Sequence, residues 1–246
     1  MPMETYLYHG QAVGFEADIW EPGPHKIDGH ARCGVPDNKK AGHYNAQQGP
    51  FEIPNLLSHG GCTSEVIAHA EDKDGFFRTE VRATLDNLSV EGGALMADRI
   101  TLGLVSVYRR QWSDSGKPHS NRVRVAPYGC SIVNLRAKGQ PVPDLLPPPF
   151  HYSTDRCEAY LRGDDPDPAA EAEMRKAITD SPSRFKYIKN FGRIFIGEWT
   201  LLPNDNWHPI HRIYMLRLAL GSPQTGNGGA GGGQIDGQTS GGGTGG

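Results

Sequence analysis

Cysteine is scarce in this sequence: Cys33, Cys62, Cys130 and Cys157 are the only four in 246 residues. A dense disulfide framework is therefore excluded, and the count leaves the redox compartment open. Long hydrophobic runs are missing too. The longest, such as Gly103 to Tyr108, fall far short of the roughly 20 residues a helix needs to cross a bilayer, so no membrane span is expected. An excess of charge of one sign is also lacking. Lys and Arg number 25 against 28 Asp and Glu, a net −3, which removes the basic footprint of a nucleic-acid partner. Met1 to Gly10 (MPMETYLYHG) carries neither a basic nor an apolar signal region, so no secretory signal is visible. No Ser stands in a G-x-S-x-G context, and neither a phosphate loop nor a dinucleotide fingerprint occurs. No catalytic residue and no cofactor is expected.

What is abundant is punctuation. With 32 Gly and 19 Pro the pair far exceeds its roughly 12% average, which argues against a helical bundle. Between these breaks, strand signals recur. Thr5 to Trp20 is rich in Tyr, Val, Phe and Ile. Glu65–Glu71 and Phe76–Leu88 flank the turn cluster Asp72-Lys73-Asp74-Gly75 and predict an antiparallel hairpin. Phe77, Thr79, Val81, Ala83 and Leu85 share one face of its second arm, with Arg78, Glu80, Arg82 and Thr84 on the other. Asn87–Arg110 predicts two strands around Gly92-Gly93. Apolar residues on both faces of its second half, from Ile100 to Val107, mark a strand between two layers. Arg122–Val125, Ser131–Val142, Tyr187–Leu202 and Pro209–Leu220 add further strands, the last two joined as a hairpin. One helix is expected between about Pro168 and Asp180, with acids Glu171 and Glu173 early and bases Arg175 and Lys176 late. The pattern predicts an all-β fold: an antiparallel β-sandwich or jelly-roll-like domain with one short helix.

The organisation expected is a β-sandwich domain over 1–220 and a glycine-rich C-terminal tail over 221–246. That tail holds 13 of the 32 glycines and a single charge, Asp236. Such a segment cannot bury enough apolar surface to order alone. It is either a flexible tail or a segment that orders against neighbouring subunits.

Two segments carry a resemblance. Asn87–Ile100 (NLSVEGGALMADRI) is similar to the glycine-rich turn and following M-A-D-x-I strand of the bacterial surface β domains called choice-of-anchor. Ser131–Val142 (SIVNLRAKGQPV) resembles their F-x-N-L-x-V-x-G-x-P-V segment in the same order, and the glycine-rich end resembles that of related uncharacterised bacterial proteins. The resemblance implies an all-β fold and a surface or extracellular role rather than any chemistry.

The most specific chemical constellation is a doubled spacing, His30-Ala31-Arg32-Cys33 and His59-Gly60-Gly61-Cys62, both in turn-like surroundings. Three readings are open. Cys33 and Cys62 are candidates for a disulfide closing a loop of about 30 residues. The set His30, Cys33, His59 and Cys62 has the nitrogen and sulfur donors of a tetrahedral zinc site. Or the cysteines are unpaired thiols. His208 and His211 are read as interfacial packing residues beside Trp207, since strand residues three apart point to opposite faces.

The function expected is that of a structural, self-assembling protein outside the cell or on its surface, a filament or surface-layer-like subunit. Its expected partner is a second copy, bound through sheet edges and the glycine-rich tail. The alternatives are a carbohydrate or small-ligand binding β-sandwich, favoured by 21 aromatic residues, and a metal-dependent hydrolase built on the His and Cys pairs. Without a visible signal, a cytoplasmic location stays open.

Overall fold

The computed structural model describes residues 5–19, 25–36, 41–109, 123–143, 146–163, 169, 172–174, 176, 184–188, 192–202, 210–220 and 227–240. Among these the chain is an all-β sandwich of antiparallel sheets with one short α-helix. The strands are β1 (Thr5–Ile19), β2 (His25–Gly34), β3 (Gly42–Gln48), β4 (Phe51–Ile53), β5 (Leu57–His59), β6 (Gly61–His69), β7 (Phe76–Val90) and β8 (Leu95–Arg109). They continue as β9 (Val123–Pro127), β10 (Ser131–Val133), β11 (Arg136–Ala137), β12 (Gln140–Pro141), β13 (Arg184–Ile188), β14 (Gly192–Leu202), β15 (Ile210–Leu220) and β16 (Asn227–Ser240). The helix, α1, spans Thr154–Arg162.

One sheet has the order β13-β14-β15-β16-β1-β2. The other runs β12-β11-β8-β7-β5-β4, with β6 and then β3 added along β7, and β9 and β10 along β8. The hairpin β6–β7 forms as its turn chemistry predicts. Asp72 Oδ1 accepts from the backbone N–H groups of Asp74 and Phe76, both at 2.9 Å, which supplies the turn with acceptors the backbone lacks. The predicted faces of β7 hold as well. Val81, Ala83 and Leu85 are fully buried, while Arg78 and Arg82 lie on the opposite face. On β8, Ile100, Leu102 and Leu104 are buried on one face and Val105 and Val107 on the other, as a strand between two layers requires.

The second cover on β8 is α1. Ser153 caps it, accepting from the Arg156 N–H at 3.3 Å, and Gly163 closes it in the left-handed region. Its buried face, Cys157, Tyr160 and Leu161, packs against β9 and β8, and the Cys157 thiol donates to Pro127 O at 3.3 Å. Arg78 reaches from β7 to fork onto Glu158 of α1 at 2.9 and 2.8 Å and also donates to Glu80. Burial alone would raise the Glu80 carboxyl, but the Arg78 and Arg82 charges hold it below the ordinary carboxylate range. The helix expected over about 168–180 lies largely outside the described residues. The residues described within that span, 169, 172–174 and 176, are helical, and α1 is a separate helix in which a serine cap and a glycine stop bracket nine residues whose apolar positions share one face.

The inner face of the larger sheet is lined by small side chains where it meets β1. Ser64, Thr79 and Ser106 are buried, and their hydroxyls have no hydrogen-bond partner among the described residues. A Cβ on Gly14 of β1 would lie 2.7 Å from Cys62 Cβ, so the two layers touch through a glycine. Strand β16 approaches in the same way: its Cα atoms come within 8 Å of those of β7 and β8, where stacked sheets ordinarily stand about 10 Å apart. Residues 227–240 of the glycine-rich segment are therefore the strand between β1 and β15 of their own chain.

Gly103 sets a second close approach. The chain folds over it between β9 and β10, with Tyr128 N donating to Gly103 O at 2.8 Å. A Cβ at that position would lie 1.7 Å from Tyr128 O, a backbone atom that cannot step aside. Gly103→Ala is expected to cost about 4 kcal/mol or more, lowering Tm by roughly 10 °C in a protein of this size. Gly92→Ala, whose Cβ meets nothing within 4 Å, should cost about 1 to 2 kcal/mol for its left-handed backbone alone. Thermal unfolding of the two variants checks the difference, and equal losses would contradict it.

Candidate functional site

Four rings meet at one end of the sandwich, and each sheet contributes a cross-strand pair. On the six-stranded sheet, Phe15 of β1 stands opposite His30 of β2. On the other sheet, Phe51 of β4 stands opposite His59 of β5. Opposed residues of antiparallel strands project from the same face, so each pair presents two rings inward. Across the gap His30 Nδ1 lies 3.0 Å from His59 Nε2, a hydrogen bond between the layers. Around it, ring centroids lie 4.7 Å apart for His30–Phe51, 5.5 Å for Phe15–His59 and 5.7 Å for the stacked Phe51–His59 pair.

Local backbone features aim these side chains. The β1–β2 register shifts between Phe15 and Ala17, and Ala31 sits at φ 50°, so β2 is kinked beside His30. On the other sheet the edge pairing to β7 passes from β5 to β6 at Gly60, whose N–H donates to Asp86 O at 2.7 Å. That jog leaves His59 at the end of its strand, 3% exposed.

Burial sets the electrostatics. It pushes His59 down to about 4, with the neighbouring His30 adding to the shift, and it lowers His30 as well. Both rings are neutral at pH 7, so their contact is N–H to lone pair. His59 Nδ1 is buried without a hydrogen-bond partner. An unpaired acceptor is easier to bury than an unpaired N–H, which favours the tautomer in which His59 Nε2–H donates to His30 Nδ1. The arrangement then holds a bare imidazole lone pair in an apolar ring box.

The two His-x-x-Cys units do not lie in turns as the spacing suggested. His30 and Cys33 are on β2, while His59 ends β5 and Cys62 lies in β6. Convergence runs between the units rather than within them, because strand pairing and layer stacking bring the two histidines together. Both cysteines are free thiols, so the structure contains no Cys33–Cys62 disulfide. Cys33 is held beside its cross-strand partner Ala12, and Cys62 is packed against Gly14, two residues further along β1. Burial pushes each thiol up to about 11, with the Glu65 carboxylate adding to the shift at Cys33. Among the described residues no group of three or more His, Cys, Asp or Glu side chains is placed to hold a metal. Of the four zinc candidates, His30 and His59 form a pair and Cys33 and Cys62 stay outside a ligand set.

Phe15 and Phe51 were not legible as site residues, since nothing local marks which strands will stack. His211 Nδ1 accepts from Trp199 Nε1 at 3.2 Å, and its expected neighbour Trp207 lies outside the described residues. His208 lies outside the described residues.

The lowered histidines link stability to acid. His59 binds a proton near pH 6.5 when unfolded and near pH 4 when folded, so the unfolded state takes up more protons in between. Its contribution is complete above pH 6.5 and is lost as pH falls toward 4, by about 2 to 3 kcal/mol in all. His59→Phe should flatten that part of the stability profile, followed by denaturant unfolding across the window. A His59 ring titrating near 6.5 by NMR would contradict the assignment.

Residues 6–151 match the family model described as Domain of unknown function (DUF8256). The match takes in nearly all of β1, all of the larger sheet and the whole ring box. No curated protein and no solved structure matches the chain. With more than half of its length matched, from the first strand through the short turn of 3₁₀-helix at Pro148–His151, the chain belongs to the DUF8256 family.

Proposed function

We propose that this is a non-enzymatic structural protein of the bacterial surface or extracellular space that assembles with copies of itself. The observation that carries the reading is β16. A strand with glycine at six of its fourteen positions lies in the middle of a sheet, paired to β1 on one side and β15 on the other. Glycine loses more conformational freedom on ordering than any other residue. Its use in a strand paired on both sides suits a protein whose main-chain pairing is part of its job.

Sheet edges add to this. Among the described residues β13 pairs only with β14 and β3 only with β6. Rows of backbone N–H and C=O groups on such strands are templates for another chain. Of the described elements, none is a helix long and apolar enough to cross a membrane. The choice-of-anchor-like segments form the β7–β8 turn, the strands β10 and β11 beside β8, and β12 next to β11, a framework role rather than a reactive one.

The full chain is expected to grow with concentration into elongated particles, followed by light scattering and negative-stain microscopy. A monomer at every concentration would overturn the reading. Saturable binding of a sugar by that monomer would replace it with the ligand-binding alternative.

A further inference from the structure

We propose that the six-stranded sheet is completed between copies of the chain, with β16 of one subunit filling the slot between β1 and β15 of the next. The inference rests on the self-assembly reading and names its contact.

The slot has an unusual geometry. Its two walls are strand edges, running from Thr5 to Ala17 on β1 and from His211 to Ala219 on β15. Without an occupant the sheet divides into β13-β14-β15 and β1-β2, each with a bare backbone edge facing the other. An occupant regains pairing on both sides at once, which no ordinary edge addition offers.

The occupant is also specified. Cα atoms of β16 lie within 8 Å of β7 and β8. Gly233 is the cross-strand partner of Ala12 on one side and Ile213 on the other, both completely buried, so it faces inward, where there is little depth for a side chain. An ordinary strand with alternating large residues would force the layers apart toward the usual ~10 Å. Glycine at such a position lets a strand lie within the gap, and the segment Asn227–Ser240 supplies it.

Exchange follows from what holds β16. Glycine-rich strands have weakly specified register and are prone to alternate pairing and swapping, because few side chains lock them to one partner. The pairings are identical whether the strand comes from the same chain or a neighbour, so swapping costs little and becomes more favourable as concentration rises. Seven residues separate Ala219 from its partner Asn227. Extended, they reach roughly 20 Å or more, enough to carry the strand to an adjacent slot. Because the donated strand and the accepting slot are different surfaces, exchange that does not close on itself builds chains of subunits.

The test uses full-length chains of two distinguishable masses, one carrying Gln11→Cys and the other Gln234→Cys. Positions 11 and 234 are direct partners on β1 and β16, and Gln11 is exposed. The two are refolded together at assembling concentration and treated with a short thiol crosslinker. A linked species containing one chain of each mass, absent when either variant is treated alone, is the expected result. A single chain carrying both changes should link internally when dilute, and between chains when concentrated. Assemblies that form while the mixed chains stay unlinked, with the double variant linking only within itself, would overturn exchange and leave self-assembly standing. Absence of any assembly would overturn both. A double variant that links in neither way would overturn the slot pairing itself and the exchange with it.

Discussion

The two layers of this sandwich come closer together than side chains usually allow, and much of the structure answers to that approach. Where β1 faces the larger sheet it does so through glycine, Gly10 against Val66, Thr79 and Val81 and Gly14 against Cys62. The larger sheet compensates by keeping its bulk elsewhere. Leu85, Leu88, Leu95, Ile100 and Leu102 fill the core, and Val105 and Val107 turn to the opposite side under α1. A thin waist of this kind offers less apolar area per residue, so cohesion shifts toward main-chain hydrogen bonds, each worth about 1 kcal/mol net.

The ring box marks one end of that waist. There the layers are joined by imidazoles that meet at 3.0 Å with phenylalanines on either side. A neutral pair of this kind joins the layers without the desolvation cost of an ion pair. It also makes the joint sensitive to acid, since a proton on either ring would enter an apolar enclosure already occupied by the other ring. Charge is handled on the outer face of β7 instead, where Arg78 links Glu80 to Glu158 and so ties the helix to the sheet.

These features bear on what kind of molecule the DUF8256 fold makes. The matched span includes the ring box and the larger sheet, whereas β13 to β16 lie beyond it. The six-stranded sheet is thus made of two matched strands at one side and four unmatched ones, with the glycine strand at the seam. The matched part holds the packing of the larger sheet, its turns and the buried histidine pair.

The sequence by itself determined those elements whose cause is local. Alternation along Phe77–Leu85 assigned the faces of β7. Asp72 to Gly75 assigned the hairpin, and apolar residues on both sides of Ile100–Val107 placed β8 between two layers. Acid and base ordering marks the helical residues near 168–180, while α1 is declared only by its Ser153 cap and Gly163 stop. At the candidate site the doubled His-x-x-Cys spacing singled out His30 and His59 but not their geometry. That depends on which strands pair and which sheets stack, and those contacts join residues far apart in the chain. Tertiary structure alone decided that Phe15 and Phe51 enclose the histidines and that the cysteines stay outside. It alone decided the place of Asn227–Ser240, because a glycine strand has no alternating side chains to declare a face, and its position is set by backbone pairing and by the depth of the gap it must fill.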